Sequence, residues 1–124
     1  INGGFDKPNL LNALNSNKEL RNLILNADYI IGESAGALVL GEYQRASRKE
    51  KSIVKGLGIV KDTIFESHYS ELQRRDLLIS EMKEKNLRCG VGIDGATGIM
   101  LSPESFPEKW EKIGQGNVEV IIKG

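Results

Sequence analysis

Residues 32–36 read Gly-Glu-Ser-Ala-Gly, a G-x-S-x-G pentapeptide centred on Ser34. A serine hydroxyl is a weak nucleophile until a turn exposes it and a neighbouring base takes its proton. The flanking residues supply such a turn. Asp28-Tyr29-Ile30-Ile31 is short and isoleucine-rich and reads as a strand, and Ala35 to Leu40 reads as the start of a helix. Strand, sharp turn and helix together make a nucleophile elbow. Glycines beside the serine remove side chains that would collide with the strand or the helix. The Ala35 N–H then lies at a helix N-terminus, placed to face an oxyanion. The same residues also fit a plain strand–helix turn in which Ser34 only caps the helix.

A nucleophilic serine needs a base, and the chain has one histidine, His68, in Phe65-Glu66-Ser67-His68-Tyr69. It follows the apolar pair Ile64-Phe65 and precedes a helical stretch, where α/β folds carry functional loops. Cys89 is the single cysteine, so no internal disulfide can form; its place just before an apolar strand reads as a small buried residue. One histidine and one cysteine argue against a zinc site, and no cofactor is expected.

The elements that must position these residues follow from apolar spacing. Helical spacing covers Pro8 to Asn15 and Lys18 to Asn26, separated by the turn signal Asn15-Ser16-Asn17. Glu42 to Lys55 is charged and reads as a solvated loop or hairpin. Gly56 to Val60 and Thr63 to Phe65 read as strands around Lys61-Asp62. Ser70 to Lys85 reads as a helix with an apolar stripe of Leu72, Leu77, Leu78, Ile79 and Met82. Cys89 to Asp94, Gly98 to Leu101 and Val118 to Ile122 read as strands, with a polar excursion from Pro103 to Lys112. Strands alternating with helices predict a three-layer α/β architecture, a mainly parallel sheet with flanking helices. The first strand is only a stub, Ile1-Asn2, so the whole of 1–124 is expected to be the C-terminal portion of a larger catalytic domain.

The 124 residues suffice for one domain and one core. Lysine plus arginine equals aspartate plus glutamate, which gives no electrostatic case for nucleic acid or an anionic membrane. No apolar run approaches membrane-spanning length and no signal peptide is visible, so a cytoplasmic location is expected.

Gly32-Glu33-Ser34-Ala35-Gly36-Ala37, then Phe65-Glu66-Ser67-His68-Tyr69, then Gly90-Val91-Gly92-Ile93-Asp94, resemble the peptidase E family of aspartyl dipeptidases, with the cyanophycinases as relatives. Gly3-Gly4 followed by Leu10-Leu11 resembles that family's opening Gly-Gly-Asn turn and helix. The order serine, histidine, acid differs from that of α/β-hydrolases. The resemblance implies a class I glutamine amidotransferase-like fold, Ser34 as nucleophile, His68 as general base, and an oxyanion hole from the N–H groups of Ala35 and Gly4. Two positions depart from the family. Phe5 stands where the turn has asparagine, and Gly95 stands where relatives tend to carry the acid. Asp94, ending a strand, is the nearest carboxylate and is expected to orient His68; Glu66 and Glu71 flank the histidine as alternatives. Arg74 and Arg75 are the local cations for an aspartyl side chain. The leading expectation is a serine peptidase acting on small peptides through an acyl-enzyme. A hydrolase of another amide or ester, and an inactive relative that only binds, are the alternatives. A homo-oligomer is left open.

Overall fold

The structure, a computed structural model, describes residues 7–46 and 52–124. Two helices come first, α1 (Lys7–Ser16) and α2 (Lys18–Leu25). Asn17 separates them and caps α2, its side-chain oxygen accepting the Leu20 N–H at 3.0 Å. Leu14 enters the core, with Leu11 and Ile24 packed against it.

The elbow strand β1 (Ile30–Glu33) leads into the short helix α3 (Ala35–Leu38). Next come β2 (Gly41–Arg45), β3 (Ile53–Lys55) and β4 (Val60–Ser67), then α4 (Arg75–Glu84) and β5 (Cys89–Ile93). Three strands close the chain: β6 (Thr97–Leu101), β7 (Trp110–Gly114) and β8 (Val118–Ile122). They form two sheets, ordered β1–β6–β7 and β3–β2–β4–β5–β8.

The architecture is mixed α/β, but its sheets are not mainly parallel. Among the described residues, parallel pairing is confined to β2–β4 and β4–β5; every other pair runs antiparallel. A parallel neighbour needs a long crossover. Between β4 and β5 that crossover carries α4, whereas β5 to β8 follow one another with no helix between them.

Three other expectations change in detail. The charged stretch from Glu42 is a hairpin, β2 with β3, and its Gln44 and Arg45 are buried rather than solvated. Of the two strands expected around Lys61-Asp62, the first does not form over residues 56–59, and the second is longer, β4, which starts at Val60 and passes through Asp62 at φ 57. The helix expected from Ser70 begins only at Arg75. Gln73 at φ 49 interrupts it, and the Arg74 N–H goes back to the Tyr69 carbonyl at 3.0 Å.

The centre of the larger sheet is covered on both faces. Neighbouring residues Ile64 and Phe65 of β4 enter different apolar clusters. Phe65 packs with α3, Val91 and Ile93, and stacks on Phe106 with ring centroids 6.4 Å apart. Ile64 packs with Tyr69 and with Leu78 and Met82 of α4. The Gly-Val-Gly-Ile alternation of β5 fits this division. Val91 and Ile93 fill the first cluster, while the glycines let the second cluster approach. A Cβ on Gly90 would stand 3.0 Å from Leu78 Cγ, and one on Gly92 would overlap the Tyr69 ring. Gly92→Ala should therefore destabilise the fold by roughly 1–3 kcal/mol, as other overpacked core substitutions do. A urea titration checks this; an unchanged midpoint would mean that Tyr69 does not lie on β5 as described.

Candidate functional site

Ser34 sits between β1 and α3 at φ 52, ψ −124. This is the backbone of the first central position of a type II′ turn, where glycine is favoured and an L-residue is strained, on the order of 1–3 kcal/mol. Its carbonyl starts α3, accepting the N–H groups of Ala37 at 3.0 Å and Leu38 at 3.1 Å. Its side chain makes no cap hydrogen bond to the helix. The capping role for Ser34 is thus not what the turn provides. Gly32 makes the turn sterically possible: a Cβ there would lie 2.8 Å from Ala37 Cα. Gly4, expected to share the oxyanion hole with Ala35, lies outside the described residues.

His68 follows β4 directly and also has positive φ, 49°. The segment after it folds back as a compact turn rather than continuing as helix. The Leu72 N–H reaches the His68 carbonyl at 3.1 Å and the Tyr69 N–H reaches the Ile93 carbonyl at 3.2 Å. Helix α3 packs against both β1 and β4, so the elbow strand and the histidine strand share one neighbour.

The carboxylate on the imidazole is that of Glu71. Its Oε2 lies 3.3 Å from His68 Nδ1 and accepts the Gly95 N–H at 2.8 Å. Asp94, expected in that place, does something else. Its Oδ1 accepts the Ser70 N–H at 2.9 Å and its Oδ2 the Asn117 N–H at 2.8 Å. One residue thus ties the histidine loop, the end of β5 and the turn before β8 together. Burial pushes the Asp94 carboxyl up, but the hydrogen bonds from Ser70 and Asn117 outweigh it and hold it below the ordinary aspartate range. A carboxyl lowered in the folded state stabilises the fold above its unfolded pKa, and that contribution is lost as pH falls through the folded value. Asp94→Asn should cost about 1 kcal/mol at neutral pH. The gap between variant and wild type should narrow in acid, as denaturant titrations at the two pH values would show; a gap that widens in acid would contradict the assignment.

The two arginines also part from expectation. Arg74 turns inward: its Nη1 donates to the Ser67 carbonyl at 2.7 Å and lies 3.8 Å from Glu66 Oε1. A cation committed beneath the loop is not placed to grip a substrate. Arg75 lies on the open face of α4 and pairs with Glu119 at 3.3 Å. Glu119 also accepts the Tyr69 hydroxyl hydrogen bond. Burial first, and then Glu119, push the Tyr69 phenol above its ordinary range.

A buried charge cluster that sequence reasoning missed underlies the histidine loop. Arg45 donates to Glu66 through Nε and Nη2, at 3.0 and 3.1 Å, in a two-pronged bond. Glu66 is fully buried and is engaged by both Arg45 and Arg74, while the carboxylate described on the imidazole is that of Glu71. Glu81 of α4 approaches Arg45 at 4.0 Å, and burial, then the charge of Glu66, push its carboxyl up to about 9. Two acids and an arginine spread along the sequence give no local signal of such a contact.

Cys89 is buried, and burial pushes its thiol up, away from reactivity. Among the described residues no group of three or more His, Cys, Asp or Glu side chains could hold a metal ion, and no helix is long and apolar enough to cross a membrane. A cleft of about 820 Å³ opens beside Tyr29, Leu101 and Trp110, at the end of β1 away from Ser34.

The model of peptidase family S51 matches residues 1–108. A cyanophycinase of Synechococcus elongatus is 31% identical over a 112-residue alignment that covers 83% of this chain and 34% of that protein. A cyanophycinase of Geminocystis herdmanii is 30% identical over 98 residues, covering 73% of this chain and 35% of that protein. The chain spans about a third of the length of the curated relatives it matches.

Proposed function

Because this chain belongs to peptidase family S51, a family of serine peptidases, we propose that Ser34 is its nucleophile and His68 its general base. The observation that carries this reading is the strained backbone of Ser34, at φ 52 and ψ −124 between β1 and α3, with the hydroxyl uncommitted to capping. Such strain persists where function requires it.

In this reading Ser34 Oγ attacks the carbonyl carbon of a peptide bond as His68 takes the hydroxyl proton. With Nδ1 turned to Glu71, Nε2 is the nitrogen left to take the serine proton. The developing oxyanion meets the Ala35 N–H, a donor that contributes on the order of 3 kcal/mol in such sites. The imidazolium then protonates the departing amine. Water deprotonated by His68 attacks the acyl-enzyme, and Ser34 recovers its proton. Peptide substrates of low molecular weight, aspartyl dipeptides among them, and the cyanophycin that its relatives' names point to are the two substrate classes to compare.

The test is labelling of the complete protein with a fluorophosphonate probe. Attachment at Ser34, lost in His68→Gln, is the expected result. Gly95, which offers no carboxylate of its own, favours a second reading as a binding protein without turnover; a folded protein that the probe leaves untouched would establish it.

A further inference from the structure

Gly95 shapes the surroundings of His68 through the side chain it lacks. It follows β5, and the direction its missing side chain would take is fixed by the backbone. A Cβ built there stands 2.7 Å from Glu71 Oε2, 3.3 Å from His68 Nδ1 and 3.6 Å from His68 Cε1. Two chain positions therefore converge on one spot beside Nδ1: the tip of the Glu71 side chain and the root of any side chain at 95. Only one of them can occupy it. Glycine leaves the spot to Glu71, and the Gly95 N–H, donating to the same Oε2 at 2.8 Å, holds the carboxylate there.

We propose that Glu71 is the positioning residue for His68, and that the absence of a side chain at Gly95 is what lets it serve. This rests on the reading of His68 as the general base. Glu71 comes from the turn immediately after the histidine, three residues on, while Gly95 comes from the neighbouring strand's end. A carboxylate on Nδ1 holds the proton on that nitrogen, leaves Nε2 as the acceptor for the serine proton, and stabilises the imidazolium that forms. Glu71 is anchored from one side by the His68 ring and from the other by a backbone N–H, so its orientation does not depend on a flexible surface contact alone.

The 2.7 Å contact is with the far end of a flexible side chain, so Gly95→Ala does not break the fold; it displaces the carboxylate. That gives the proposal an epistatic signature. The imidazole nitrogen shifts of His68, assigned by their loss in His68→Gln, report its tautomer directly and need no turnover. Wild-type protein should carry the proton on Nδ1. Glu71→Ala should move it toward Nε2, and Gly95→Ala should do the same while Glu71 is still present. The double variant Glu71→Ala/Gly95→Ala should look no different from either single one. Glu71→Ala/Gly95→Glu, which supplies a carboxylate from the other attachment point, should return the proton to Nδ1.

In turnover, Glu71→Ala should lower kcat by about 10²- to 10⁴-fold with KM little changed, and the swapped double variant should recover at least about tenfold of that loss. Glu71→Gln should keep the Nδ1 tautomer and still lose rate, because an amide accepts the hydrogen bond without the charge. Should Glu71→Ala not fold, Gly95→Ala and Glu71→Gln carry the same comparison. A tautomer indifferent to Glu71→Ala and Gly95→Ala, or additive rate losses in their double variant, overturns the proposal. Tautomer changes as expected in a protein that never labels at Ser34 would uphold the positioning role and sink the nucleophile reading instead.

Discussion

Ser34→Ala in the complete protein should lower turnover by about 10⁴- to 10⁶-fold, the loss found when the nucleophile of a serine–histidine site is removed. Fluorophosphonate labelling should vanish with it. Alanine keeps a Cβ at φ 52, so the strain of the elbow stays and the fold should be close to wild type in stability. Ser34→Gly provides the matching control. It should be equally inactive, yet more stable than Ser34→Ala by about 1 kcal/mol, because glycine adopts this backbone without a steric penalty. Paired activity and denaturation measurements check both halves. A folded Ser34→Ala protein retaining a tenth of wild-type turnover would remove Ser34 from the mechanism. Equal stability of the two variants would remove the strain argument while leaving the chemistry standing.

The largest effect on stability is expected beneath the histidine loop. Arg45 is 6% exposed and Glu66 is wholly buried, and they share a two-pronged bond. A buried charge left without its partner costs about 3–5 kcal/mol. The double variant Glu66→Gln/Glu81→Gln should cost the most of these variants, up to that figure, since it removes the carboxylates that face Arg45 from β4 and α4. Glu66→Gln alone should cost less. With the negative charge of Glu66 gone, Glu81 gives up its proton more readily and turns its carboxylate to Arg45, 4.0 Å away.

Glu81→Gln alone should cost little at neutral pH, where burial and then Glu66 keep this carboxyl protonated. It should also change the pH profile in a defined direction. A carboxyl raised to about 9 in the folded state binds its proton more tightly there than in the unfolded chain. Stability therefore falls as pH rises from the ordinary carboxylate range to about 9, and Glu81→Gln should remove that decline. Denaturant midpoints of the three variants across pH test this ordering. A Glu66→Gln loss as large as that of the double variant would show that Glu81 does not exchange its proton for Arg45.

Local sequence settled the parts of this protein whose cause is local. The pentapeptide around Ser34, with an apolar strand before it and small residues after, was legible as an elbow because the turn needs glycine at Gly32 and a tight helix start, both written within a few residues. Helices α1 and α2, the Asn17 break between them and strands β5, β6 and β8 were legible for the same reason: apolar spacing and caps act over one or two turns. His68 was legible as the base candidate because the chain holds no other histidine.

What depends on contacts between distant segments was decided only by tertiary structure. Asp94 and Glu71 are both carboxylates near the histidine, and no periodicity separates them. The choice came from Ser70 and Asn117 taking the oxygens of Asp94, and from the Gly95 backbone offering its N–H to Glu71. Arg74 was read as a substrate clamp because its charge was visible and the buried Glu66 and Ser67 carbonyl that claim it were not. Arg45 looked solvated until Glu66 of β4 and Glu81 of α4 met it, and Gln44 until the fold buried it. Strand direction followed the same rule. Apolar alternation marks a strand but is identical for parallel and antiparallel neighbours, so which edge β6, β7 and β8 would join was a matter of how the chain returned, not of what the strands contained.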